Sequence, residues 1–92
     1  MLTRESQPRI AAKARLRYDR KAGRYMLLYP EKGLVLNPTA ADVVQLCTGE
    51  RSVGAIVDQL AAKYSKDAAT VEREVMALLR SLAERSLLQE DP

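Results

Sequence analysis

The sequence predicts an α+β domain in which a three-stranded antiparallel sheet is followed by three helices, resembling a winged helix-turn-helix. Residues 14–36 hold three short apolar segments separated by turn residues. Residues 38–83 carry apolar side chains at helical spacing instead. Strands grouped before helices indicate a sheet packed against a helical layer, and 92 residues suffice for one such domain.

The three predicted strands differ in how their apolar residues are arranged. Residues 14–18 alternate, with apolar side chains on one face and two arginines on the other. Residues 24–30, after a turn, are apolar on both faces, so either the N-terminal arm or another chain is expected to cover the second face. A turn with Gly33 in the left-handed conformation leads into the third strand, residues 34–36.

Each of the first two predicted helices begins at a residue that caps helices well. Asn37 caps the first helix, which ends at Gly49. Ser52 caps the second, residues 53–64, and the third spans residues 68–83. The apolar stripes of these helices supply an aliphatic core, because the chain has no Trp or Phe.

The two ends of the chain show no sustained period. Residues 1–12 are therefore predicted to be a flexible N-terminal arm, and residues 13–92 the single folded domain. Leu87 and Leu88 are expected to form a last turn that folds back onto the core.

Composition predicts a cytoplasmic protein with no membrane partner. No apolar stretch approaches the roughly 18 residues that span a bilayer, and the N-terminus lacks the apolar region of a secretory signal. The single cysteine, Cys47, cannot form an internal disulfide. Residues 1–32 carry nine Lys and Arg against three Asp and Glu, which favours an acidic partner for the first third of the chain.

The residue types needed for catalysis are scarce, so the chain is predicted not to be an enzyme and to hold no metal or cofactor. Histidine is absent, which removes the commonest general base and metal ligand. Cys47 lies on the apolar side of the first helix and is interpreted as a small core residue. Glu72 and Glu74 are two positions apart on a helix and point in different directions.

Two binding functions remain, and the first is DNA recognition by a winged helix. Its third helix would enter the major groove with Arg, Lys, Asn or Gln exposed. Residues 68–85 instead carry three arginines and three glutamates. The predicted shape fits DNA, whereas the charges do not.

The second binding function is peptide recognition. The third predicted strand is not followed by a fourth, so its backbone is free to pair with an added strand. The third helix beside it carries an apolar stripe, with Met76 and Leu79 as candidates for its outer margin. An alternative is that residues 34–36 are merely an edge strand and Met76 a core residue.

Residues 36–64, LNPTAADVVQLCTGERSVGAIVDQLAAKY, resemble the signature of the PqqD family, which is required to make pyrroloquinoline quinone (PQQ). The upstream hairpin is similar too, so the resemblance covers about residues 8–88. The matching positions are Leu36, Asn37, Thr39, Val43, Val44, Leu46, Gly49, Ser52, Val53, Ile56 and Leu60.

The resemblance implies a peptide chaperone with the fold of a RiPP recognition element, the module that binds precursors of ribosomally made natural products. It implies that the precursor peptide PqqA binds as an added strand between the third strand and the third helix. The radical S-adenosylmethionine (SAM) enzyme PqqE would then receive it, and no nucleic acid would bind. Carried onto this sequence, the peptide-binding residues are Leu34, Val35, Leu36, Asn37, Val71, Val75, Met76, Leu79 and Arg80.

The second strand, which is apolar on both faces, also predicts a homodimer. Met26, Leu28 and Val35 are expected to form an apolar patch on the hairpin that a second copy covers. The junction of Asn37 and Pro38 is a candidate hinge for exchanging hairpin and helices between copies.

Overall fold

The computed structural model describes residues 2–30 and 32–91. The elements are, in chain order, β1 (Gln7–Ile10), β2 (Arg15–Asp19), β3 (Arg24–Tyr29), β4 (Lys32–Leu36), α1 (Pro38–Leu46), α2 (Val53–Tyr64), α3 (Ala68–Glu84) and β5 (Leu88–Asp91). The predicted α+β class is confirmed, because an antiparallel sheet in the order β2-β3-β4 leads into the three helices. None of the described helices is long and apolar enough to cross a bilayer.

The two faces of the β2-β3-β4 sheet have different surroundings, because side chains alternate along each strand. On the inner face, Leu16, Leu27 and Leu34 lie opposite one another in register. Leu27 is fully buried there, and α1 packs against all three strands. The outer face carries the alternate residues, among them the exposed Arg17 and Leu28.

Gly33 lies inside β4, and the predicted left-handed turn at this residue is wrong. β4 begins at Lys32, two residues earlier than predicted, and Gly33 pairs with Leu28 on β3. A Cβ atom at Gly33 would lie 3.1 Å from Cδ2 of Leu28 and from Cε of Met26. The missing side chain therefore leaves room for these two side chains on the outer face.

The helices begin where the capping residues predict. The side-chain oxygens of Asn37 and Ser52 each accept a hydrogen bond from the backbone N–H three residues later, at 2.7 and 3.1 Å. α1 ends at Leu46, earlier than predicted, and Gly49 takes its positive φ of 84° in the turn beyond it. The helices and the inner sheet face share an aliphatic core, whose fully buried members include Leu27, Ile56, Leu60, Leu79, Leu82 and Leu87.

The two ends of the chain form a second, two-stranded sheet that the sequence analysis does not anticipate. β1 pairs antiparallel with β5, with Gln7 opposite Asp91. Residues 1–12, expected to be a flexible arm, thus include a strand, and Leu88 begins a strand rather than a last turn. A four-residue strand that contains Pro8 shows no readable alternation, and its partner lies at the other end of the chain.

The segment that precedes β1 also caps α2. The carbonyl oxygens of Arg4 and Ser6 accept hydrogen bonds from the N–H groups of Gly54 and Val53, both at 2.9 Å. The first N–H groups of a helix have no partner within the helix, so the N-terminal segment satisfies two of them. Pro8 is fully buried in this contact region.

Candidate peptide-binding groove

β4 is an edge strand, as predicted. It pairs with β3 on one side, and no strand pairs with its other side within the part of the chain that the structure describes. Unpaired backbone N–H and C=O groups on such an edge can form a ladder with a further strand.

A cleft of about 510 Å³ lies at the end of this edge strand. α1 forms one wall of the cleft and α3 the other, and Lys66 lies between α2 and α3 at its border. Asn37, which directly follows β4, also lines it, so the free edge and the cleft meet at this residue. The two walls consist of Thr39, Ala40 and Val43 from α1 and of Glu74, Val75, Ala77 and Leu78 from α3.

The four predicted binding residues of the strand side lie on or just after β4. Val35 is exposed on the outer face, whereas Leu34 is half-buried and Leu36 is buried on the inner face. Asn37 is exposed, but its side-chain oxygen is engaged in capping α1. The side chains of these residues do not form one cluster. Their backbone N–H and C=O groups are therefore the groups available to a peptide.

The five predicted binding residues of α3 fall into two groups. Val71, Val75 and Leu79 are buried in the core, and of these only Val75 lines the cleft. Met76 is half-buried and Arg80 is exposed, and neither lines the cleft. A direct contact between peptide and these residues stays a prediction.

The sequence analysis misses Lys66 and most of the α3 side of the cleft. At 3.6 residues per turn, Glu74, Ala77 and Leu78 lie on one flank of the buried stripe, and Met76 lies on the other. Leu78 carries the available signal, because it is a large apolar residue beside the buried stripe. Ala77 carries no such signal, and only the position of α1 identifies this flank.

The cleft contains few groups that could take part in chemistry. Its lining is mostly apolar, and Lys66 and Glu74 contribute one charge of each sign. The thiol of Cys47 lies in the core, where burial raises its pKa to about 12 despite the nearby cation of Arg51. A thiol held protonated is a poor nucleophile.

A hydrogen-bonded cluster joins α1 to the end of α2 behind the cleft. The Asp42 carboxylate accepts hydrogen bonds from the Tyr64 hydroxyl and, at 2.9 Å, from the Lys63 ammonium. Partial burial by itself would raise the pKa of Asp42, but these hydrogen bonds and the Lys63 charge outweigh it and lower the pKa below that of an ordinary aspartate.

We expect the substitution Asp42→Asn to remove an acid-sensitive contribution to stability. Because the folded state lowers the pKa of Asp42, the contribution is complete well above the pKa of an unfolded aspartate and disappears as the pH falls through the folded-state pKa. Urea unfolding of both proteins at a series of pH values measures it. The stability difference between them should shrink as the pH falls below the pKa of an unfolded aspartate, and a difference independent of pH would contradict the assignment.

Comparison with known proteins finds relatives that match most of the chain. A family model described as coenzyme PQQ synthesis protein D (PqqD) matches residues 24–88, which contain β3, β4 and all three helices. A protein of Rhodopseudomonas palustris strain BisB5 named PqqA binding protein is 42% identical over 85 residues, covering 92% of this chain and 83% of that protein.

Two solved structures share the fold. The solution structure of the PqqD part of Methylobacterium extorquens PqqCD, described as a functional, stand-alone RiPP recognition element, has a TM-score of 0.85 and 29% identity, covering 97% of this chain and 95% of that one. TbiB1, in complex with the TbiA(beta) leader peptide, has a TM-score of 0.75 and 26% identity, covering 88% and 94%. A recognition module of this kind agrees with the prediction that the chain is not an enzyme. Together with the family match over residues 24–88 and the 42% identical relative, these structures show that the chain belongs to the PqqD family.

Proposed function

We propose that this protein is the peptide chaperone of PQQ biosynthesis and that it binds the precursor peptide PqqA as an added strand on β4, beside α3. The observation that carries the proposal is the free edge of β4, which ends at a largely apolar cleft. Backbone hydrogen bonds along the edge would supply affinity, and the cleft would select among side chains.

The relatives support this choice of ligand. The Rhodopseudomonas protein is named for binding PqqA, and TbiB1 was solved with a leader peptide. Within the described residues, no group of three or more potential metal ligands occurs. Peptide binding is the function that these relatives favour together.

The chemistry on the peptide would then belong to a partner. We propose that the loaded protein presents PqqA to the radical SAM enzyme PqqE in the cytoplasm. A peptide held as a strand on β4 keeps one edge and one face open, so a second protein can reach it without displacing the chaperone.

Replacing single peptide bonds of PqqA by esters tests the added strand. An ester removes one N–H donor and conserves the shape of the backbone. Because alternate residues of a strand direct their N–H groups to the same neighbour, we expect affinity to fall about tenfold at every second position of the bound segment. The intervening esters are the matched controls. Calorimetry that shows no periodicity, or a period of three to four residues, would rule out strand addition.

The predicted homodimer concerns the hairpin instead of the cleft. Leu28 and Val35 are exposed in the single chain. A second copy in a homodimer would cover them. Sedimentation over a wide range of concentration distinguishes a dimer from a monomer.

DNA binding, the alternative drawn from the winged-helix shape, has less support. The exposed residues of α3 include Arg73 and Arg80 but also Glu74 and Glu84, so this helix presents mixed charges where phosphate would lie.

A further inference from the structure

The outer face of the β2-β3-β4 sheet carries an apolar patch on which none of the described helices packs. Met26, Leu28 and Val35 lie on this face, and the last two are 39% and 49% exposed. Cδ2 of Leu28 and Cε of Met26 both approach the space above Gly33. The three side chains therefore form one continuous surface, the outer patch, across two neighbouring strands.

Cations border the outer patch on β2. Arg15 pairs in register with Leu28, and Arg17 with Met26, so both guanidinium groups lie on the same face as the patch. Neither arginine forms an ion pair with any residue whose side chain the structure describes. Asp19, at the end of the same row, accepts hydrogen bonds from two N–H groups of its own turn. The border thus favours an occupant with carboxylates around an apolar centre.

We propose that the outer patch docks the enzyme that modifies the bound peptide, through an apolar surface of that enzyme flanked by carboxylates. This inference rests on the proposed function. A second copy of the chain fits less well, because two such faces in contact would bring cations against cations.

Peptide binding would extend this docking surface. Side chains of an added strand alternate between the two faces of the sheet, so half of those on PqqA would point toward the cleft side. The other half would lie beside Val35 on the outer face. An enzyme on the outer patch would therefore contact chaperone and peptide together, and it would bind the loaded chaperone more tightly than the empty one. By linkage, the enzyme would raise the affinity for peptide by the same factor.

The test uses the variants Leu28→Asp and Arg17→Glu. The control for the change in net charge is Arg73→Glu, at an exposed position on α3 away from the outer patch. Each is titrated with PqqA by calorimetry and then, loaded and empty, with the purified radical SAM enzyme of the same organism. We expect both patch variants to weaken enzyme binding about tenfold or more and to change PqqA affinity less than about twofold. Arg73→Glu should change neither, and added salt should weaken the wild-type complex more than that of Arg17→Glu.

The outcomes separate the two proposals. Failure of the wild type to bind PqqA overturns the proposed function, while titration of the empty protein still decides the docking surface. Unchanged enzyme affinity of both patch variants overturns the inference alone. A wild-type dimer that Leu28→Asp converts to a monomer also overturns it, since the patch would then join two copies. Circular dichroism verifies that each variant is folded. If Leu28→Asp does not fold, Arg17→Glu still decides the test, because Arg17 is exposed on an edge strand.

Discussion

A variant that begins at Ala11 loses about 4 kcal/mol of unfolding free energy, a large share of the roughly 5–15 kcal/mol typical of a domain. It lacks β1, so β5 has no partner, and two N–H groups at the start of α2 lose their carbonyl acceptors. It also lacks Pro8, which is fully buried. Denaturant unfolding measures the loss, which a flexible arm would not produce.

The control for this truncation is Arg4→Ala. The Arg4 guanidinium contacts the carboxylates of Glu72 and Asp58, but all three side chains are substantially exposed. Ion pairs of this kind contribute at most about 1 kcal/mol, so the variant should stay close to wild type. If Arg4→Ala were as destabilising as the truncation, the ion pairs and not β1 would hold the segment.

The substitution Ala77→Glu lowers the affinity for PqqA about a hundredfold. Ala77 is exposed on α3 and lines the cleft, so the protein should fold with the glutamate in place. The longer, charged side chain would occupy space that the peptide needs and would lose water when the peptide binds, at a cost of roughly 2–3 kcal/mol. Calorimetry with PqqA measures the effect.

The matched control is Ala83→Glu. Ala83 is also an exposed alanine of α3, but it lies on the flank away from the cleft. The same change of residue and charge there should leave affinity unaltered. Equal losses in both variants would indicate an effect of net charge, and equal losses in Met76→Ala would favour the flank that the sequence analysis selected.

The sheet and helices could be predicted because their signals are local. Alternation along β2, turn residues and the caps Asn37 and Ser52 each act within a few residues of the chain. β1 and β5 could not, because neither short strand has a period of its own and their pairing joins opposite ends of the chain.

The groove could be predicted in part. The edge of β4 follows from strand order alone, since no fourth strand comes after it. The wall of α3 does not, because a helical period shows which residues share a face but not which flank of that face is covered. Val71 and Leu79 belong to the strongest stripe and are therefore core residues. Ala77 and Leu78 line the cleft because α1 crosses beside them.

The pairing of β1 with β5 also determines how this protein can be joined to others. Gln7 lies opposite Asp91. The first residue of β1 and the last residue of β5 are therefore neighbours in space. This pair of residues lies near the start of α2, because the neighbouring Ser6 caps that helix. The cleft lies elsewhere, beside the start of α1 and beside Lys66, which follows α2. A tether to an enzyme can thus be attached beside Gln7 or Asp91 without covering the proposed peptide-binding cleft.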